Sequence, residues 1–342
     1  MDRNPFYDSA RLSGDYDPKL SPEKLKEPSL KTGRGTAAAH HGEIFQGVLE
    51  GASGRLQRGL VSLPCSIFRS EATFYPDLSG VVRVDPVWKI KTQNAVKLAL
   101  DFLGKHGWGG RLKTRSNVPV GWGLGSSTSD VTAAIRAVAD AFRDRVTPKD
   151  IAHLAVRAET ASDSLMFDER MVLFAQREGV IIEDFNGLLP EIEVLGFNTD
   201  PSGNGVNTLD FIPVRYSWWE IEAFRPLIGR LRRAVETQDP YCIGEVATAS
   251  AKINQKHLPK PRYDEVLLIK DRVGALGLQV AHSGTVVGLL FDPLDSRKDC
   301  QIRQAQTLLE SLGFDQCWRF RTSASELYEV DEQELCEAEE VA

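Results

Sequence analysis

Three glycines at alternate positions, Gly121, Gly123 and Gly125, run into four consecutive hydroxyl residues, Ser126, Ser127, Thr128 and Ser129, and then into a helix-forming segment over 131–142. Glycine admits positive φ and lets a backbone come close to a ligand. The first-turn amides of a helix have no intrahelical acceptor and stand at the positive end of its dipole, so such an entrance suits an anion, phosphate above all. A tight strand-to-helix connection would use the same glycines. Three familiar motifs each fail at one place. A Walker A loop needs a lysine where Ser126 stands, a dinucleotide fingerprint needs a glycine there, and a nucleophile elbow needs a glycine in place of Ser129. Downstream, Glu159 and Asp163 are spaced i, i+4 and share one face if their helix continues, which fits a common site or two solvated charges. His40 and His41 form a pair with no third ligand at recognised metal spacing, and His282 beside Ser283 suits a phosphate donor or a core histidine. Trp88, Trp108 and Trp122 are candidates for stacking on a base, Trp122 being inside the loop itself.

The elements that must position these residues are legible on either side. The stretch 111–118 alternates Arg111, Lys113 and Arg115 with smaller or apolar neighbours, a half-exposed strand that delivers the chain to the glycines. Upstream, 60–68 and 71–76 are strand-like and 92–107 has helical spacing that stops at Gly107. Thr147, Pro148 and Asp150 spell an N-cap, a first-turn proline and a capping box for the helix that leads to Glu159. Strands follow around Gly179 over 171–185, and a new series begins near Pro190. Beyond it, helical stretches at 219–237, 263–277 and 297–313 alternate with strands at 278–284, 285–292 and 316–322, the pattern of an α+β layer. The expected organisation is a poorly ordered leader or surface strap over 1–35, domains over 36–189 and 190–328, and a solvated acidic tail over 329–342.

With 342 residues, a net charge of −7, 42% hydrophobic and 26% charged residues, the chain has the profile of a soluble globular protein. It carries no broad basic field for nucleic acid and no apolar run of membrane-spanning length. The N-terminal stretch lacks a secretory core and has too many acids for a transit peptide, so the cytoplasm is expected. Five scattered cysteines suggest neither a disulfide framework nor a zinc cage.

The segment 118–129 resembles the phosphate-binding signature of the GHMP kinases, P-x-x-x-G-L-G-S-S-A-A: Pro119, Gly123, Leu124, Gly125, Ser126 and Ser127 match, while Thr128 and Ser129 replace alanines. The segment 40–49 resembles that family's N-terminal G-E motif at Gly42 and Glu43, and 280–291 resembles its C-terminal loop at Ser283, Gly284 and Thr285, short of the second glycine. The resemblance implies an α+β, two-domain fold with a ribosomal protein S5 domain 2-like N-terminal domain and a ferredoxin-like C-terminal domain. It also implies that the loops, Gly121 and Thr128 included, wrap the phosphates of ATP. Ser127 and Glu159 would hold Mg²⁺, and Asp163 would stand at the acceptor hydroxyl as base. Within the family, the segments 42–47, 158–167, 247–261 and 280–290 resemble bacterial L-threonine kinases that supply phosphothreonine for the cobalamin side chain. That likeness implies transfer to the hydroxyl of free L-threonine, with Glu43, Gln46, Asn254 and Arg58 as candidates for binding the amino acid. Homoserine, a sugar or another small alcohol, and a non-catalytic ATP-binding sensor, remain alternatives. ATP and a small hydroxylated molecule are the expected partners, without nucleic acid or membrane, and a homodimer is compatible with the sequence.

Overall fold

A computed structural model of the chain describes residues 31–51, 54–168, 170–200 and 214–322. The leader up to residue 30 and the acidic tail lie outside the described residues. β1 (Gly33–Glu50) and β2 (Leu56–Asp77) pair antiparallel from Gly33 opposite Phe74 to Glu50 opposite Leu56. The register slips between Ala38 and Ala39 and twice between His40 and Phe45. Bulges re-aim side chains, and here the usual alternation gives way to unbroken burial over 39–45, with Gly42 at φ 69°. Both histidines and Glu43 are thereby taken inside.

The remaining strands are β3 (Val82–Asp85), β4 (Gly109–Ser116), β5 (Val172–Ala175), β6 (Val180–Asp184), β7 (Glu193–Asn198), β8 (Gly277–Val280), β9 (Val286–Phe291) and β10 (Cys317–Arg321). They extend the hairpin into one ten-stranded sheet in the order β10-β7-β9-β8-β1-β2-β4-β3, with β5 added to β2 and β6 to β5. β3 runs parallel to β4, and the other described pairings are antiparallel. β1 meets β8 where Glu43 faces Val280.

Seven helices lie among the described residues: α1 (Ile90–Phe102), α2 (Ser126–Phe142), α3 (Pro148–Glu159), α4 (Trp218–Thr237), α5 (Pro240–Gln255), α6 (Tyr263–Val273) and α7 (Lys298–Ser311). α3 starts as its sequence requires: Thr147 accepts from the Asp150 amide and the Asp150 carboxylate accepts from the Thr147 amide. α1 ends earlier than Gly107 because Gly104, at φ 67°, takes the left-handed stop and Lys105 N bonds back to Leu100 O at 2.9 Å. α5 had no counterpart in the sequence reading. Its cap was nonetheless present, since Asp239 accepts from the amides of Tyr241 and Cys242 ahead of Pro240.

α2 lies unusually close to β1. A Cβ on Gly33 would stand 2.1 Å from Ala137 O, and one on Gly35 2.3 Å from Ala133 O. Ala133, Ala137 and Ala141, one helical turn apart, present the small face that allows this approach. The contact fixes the mouth of α2 beside the bulge in β1. One apolar core joins α1, α2 and α3 to β2, β3 and β4, and a second sets α4 and α5 against β1, β2 and β7. A third fills the space among α6, α7 and β7–β9, and a small fourth, with Ala39, Val118, Leu124, Ala281 and Val286, underlies the glycine loop.

Candidate active site

The glycine loop has the conformation its residues allow, with Gly121, Gly123 and Gly125 at φ 81°, 84° and 72°. Gly125 is the N-cap of α2, no side chain caps it, and no acid lies in the first turn. No acid of α2 itself therefore occupies its dipolar mouth. Two of the glycines also serve the protein itself. A Cβ on Gly125 would stand 2.3 Å from His40 Cδ2, and one on Gly123 would stand 2.7 Å from Gly284 Cα. The Ser283–Thr285 turn therefore packs backbone to backbone on the loop, with Thr285 N donating to Trp122 O at 2.9 Å.

Opposite the mouth, the end of α3 and the residues after it bring in two carboxylates. Ser127 Oγ donates to Glu159 Oε2 at 2.6 Å. Thr128 Oγ1 lies 3.0 Å from Glu159 Oε1 and 3.2 Å from Asp163 Oδ2, sharing one proton between them. Burial, with the Asp163 charge adding to it, pushes the Glu159 carboxyl up to about 7. Asp163 goes the other way, for although burial opposes its charge, His40 Nε2 at 3.1 Å holds it below the usual carboxylate range. His40 is in turn anchored through Nδ1 to Gly42 O at 3.0 Å, and its amide donates to Leu124 O. Burial disfavours its charge too, yet Asp163 raises it to about 9. Lys91, half-buried on α1, adds a positive field felt by both carboxylates.

Glu43 is buried in the bulge, where its Oε2 accepts from the backbone amide of His282 at 2.9 Å and meets the ring Nδ1 at 2.8 Å. His41 turns away to Gln279, and burial lowers it to about 4. His40, Glu43 and Asp163 have ligand atoms within 4.8 Å of one another. With His40 committed to Asp163 and Glu43 to His282, they form an ion-pair network. The oxygen donors of Ser127 and Glu159, by contrast, suit the hard Mg²⁺ ion, and a carboxyl held near neutrality by burial is one that a cation would ionise.

The other expected residues are distributed as follows. Pro119 leads into the loop, Ser126 opens α2, and Leu124 is buried beneath it. Ser283 is half-buried in its turn. Gln46 is joined to α5 by its backbone, whose amide donates to Ser250 Oγ and whose carbonyl accepts from Asn254 Nδ2 at 2.8 Å. Asn254 also donates to Ser250 O and accepts from Tyr216 at 2.5 Å. Arg58 donates to Val214 O and lies over the Tyr216 ring. One face of Trp122 is stacked on Trp318, at 5.8 Å and 25°, Trp108 packs edge-on against Phe142, and Trp88 is exposed. A cavity of about 400 Å³ is lined among others by Ala39 and Ser164, the chain neighbours of His40 and Asp163, and by Ser62, Arg170, Glu191 and Arg321; none of His40, Glu43, Gln46, Asp163 and Asn254 lines it.

Residues 91–168 match the family model described as GHMP kinases N terminal domain. Every carboxylate and hydroxyl gathered at the mouth of α2 falls within the matched segment, whereas His40, Glu43 and the Ser283–Thr285 turn reach it from outside. The chain is 31% identical over 186 residues to the L-threonine kinase of Citrobacter freundii, covering 53% of this chain and 62% of that protein. It is 31% identical over 185 residues to the L-threonine kinase of Salmonella typhimurium, covering 53% and 60%. The chain thus spans rather less than two thirds of the length of these curated relatives. The homoserine kinase structure from Cytophaga hutchinsonii superposes with a TM-score of 0.65 at 15% identity, covering 86% of this chain and 96% of that one. The mixed α/β architecture with its curved sheet is therefore the fold seen in that homoserine kinase.

His40, Lys91 and the Ser62–Ser164 flank of the cavity were not assigned from sequence. For His40 a signal existed: with His41 it leads into the Gly42–Glu43 motif, and a bulge there would bury it.

Proposed function

We propose that this chain is an ATP-dependent phosphotransferase acting on the side-chain hydroxyl of a small molecule, L-threonine first among them. The observation that carries the reading is the convergence of Ser127, Thr128, Glu159, Asp163 and His40 at the mouth of α2, whose own first turn holds no acid. The likeness to the two L-threonine kinases supports the acceptor. The first-turn amides of α2 and the loop backbone would receive the triphosphate. Ser127 and Glu159 would hold Mg²⁺, which when bound neutralises the charge on the β and γ oxygens.

The acceptor would approach from the cavity that Ser164 and Ala39 line and place its hydroxyl at the Asp163 carboxylate. As the hydroxyl oxygen bonds to the γ-phosphorus, the bond to the β-bridging oxygen breaks and ADP leaves. The hydroxyl proton passes to Asp163 and on to solvent. With His40 holding Asp163 ionised, orientation and charge contribute more here than basicity. A cytoplasmic setting is part of the proposal; no described helix is long and apolar enough to cross a membrane, and Cys65, Cys242, Cys300 and Cys317 are free.

The test is ADP release with Mg·ATP over a panel of threonine, serine, homoserine and simple sugars, on wild type and Glu159→Ala. Threonine should give the highest kcat/KM, and the variant should lose at least about a hundredfold while keeping its fold. Turnover with homoserine or a sugar alone would move the acceptor assignment. No turnover and no Mg·ATP binding would refute the kinase reading.

A further inference from the structure

Lys260 is fixed at both its backbone and its ammonium. It lies between Pro259 and Pro261 in the link from α5 to α6, where proline on either side restricts the backbone. The Gln255 side chain grips it from both directions: Oε1 accepts from the Lys260 amide at 2.9 Å and Nε2 donates to the Lys260 carbonyl at 3.0 Å. The side chain then runs inward, 8% exposed, and Nζ donates to Gly284 O at 2.6 Å. Gly284 is the residue packed on Trp122 and Gly123 of the phosphate loop.

An ammonium offers more donors than this one bond uses. Among the described residues Lys260 has no ion-pair partner, and Glu43 is the carboxylate whose field reaches it. Burying a cation without a partner is costly, and burial pulls this one down to about 8. Two more buried polar atoms at the same turn, His282 Nε2 and Thr285 Oγ1, lack hydrogen-bond partners. Native folds seldom leave such groups unsatisfied unless something else completes them. Glu43, whose field Lys260 feels, lies 3.9 Å from His40, and His40 touches Asp163. The ammonium itself stands at the Gly284 carbonyl, on the turn that packs against the glycine loop.

We propose that Lys260 binds the γ-phosphoryl oxygens of the bound triphosphate, while its bond to Gly284 fixes the Ser283–Thr285 turn against the glycine loop. This rests on the kinase reading given above. Loss of one preorganised donor to a transferring group costs about a hundredfold or more in kcat. Wild type, Lys260→Met and Lys260→Arg are titrated calorimetrically with Mg·ATP and Mg·ADP, assayed for kcat and melted. Lys260→Met should lose about tenfold or more in ATP affinity with less than about threefold change for ADP, and about a hundredfold in kcat. Lys260→Arg should recover about tenfold of that kcat, an effect a merely structural lysine would not show. If Lys260→Met fails to fold, Lys260→Gln takes its place in the same comparison. A neutral variant that keeps the wild-type preference for ATP over ADP and its kcat overturns the assignment and leaves the kinase reading standing, as does one that loses ATP and ADP equally with its melting temperature. Wild type that binds neither nucleotide overturns both.

Discussion

The coupling of His40 to Asp163 should be measurable as a pH-dependent share of the folding free energy. His40 rises from 6.5 to about 9 in the fold, because the Asp163 carboxylate outweighs the burial that opposes its charge. A base whose folded pKa lies above its unfolded one contributes stability fully below pH 6.5, and that contribution is lost as pH rises through about 9. At about 1.4 kcal/mol per pH unit, the interval from 6.5 to 9 corresponds to about 3 kcal/mol. Lys260 works in the opposite sense: burial lowers it from 10.5 to about 8, so its contribution grows with pH across that range. Comparing wild type with His40→Gln at each pH cancels Lys260 and every other distant group. Urea unfolding of both proteins between about pH 6 and about pH 9.5 provides the measurement. The advantage of wild type should be largest at the acid end and shrink by about 3 kcal/mol at the alkaline end. An advantage that stays constant within about 0.5 kcal/mol across that range would show that His40 is neutral in the fold and that the ion pair does not exist.

Three further outcomes are expected. Gly284→Ala would place a Cβ 2.1 Å from Trp122 O and 2.3 Å from Gly123 Cα. The two loops must then part, at a cost of about 2–4 kcal/mol in thermal unfolding and with loss of calorimetric ATP binding. Thr147→Ala removes the α3 cap and should cost about 1 kcal/mol of stability with kinetics unchanged, a control for effects transmitted merely by instability. Chelation by EDTA should abolish turnover and excess Mg²⁺ restore it, whereas turnover that persists without divalent cation would remove Glu159 from its assigned role.

Much of the fold was legible where the decisive signals are local. The capping box at Thr147, the glycine entrance to α2 and the alternation of β4 are properties of short stretches, and the chain obeys them. α5 was missed because Gly244, Thr248 and Ser250 break up its apolar stripe, although Asp239 and Pro240 announced its start. The reasons for the glycines were only half visible. That Gly125 must make room for His40, and Gly123 for Gly284, depends on contacts between distant stretches of chain. Trp122 pairs with Trp318 for the same kind of reason. The pairing of His40 with Asp163 needed the bulge in β1, a slip in register that depends on the partner strand.

Glu43 does two things at once: its backbone is the point where β1 meets β8, and its carboxylate holds both the amide and the ring of His282. With His41 bonded to Gln279 of β8 at 2.8 Å, the polar side chains on either side of Gly42 both pin this seam. Any guest that draws on Glu43, whether through Lys260 or through His40, would loosen or tighten the seam between the strand that carries the histidines and the strand that leads to the second loop. A change there would act at the centre of the sheet, between β8 and β1, and not at its edges.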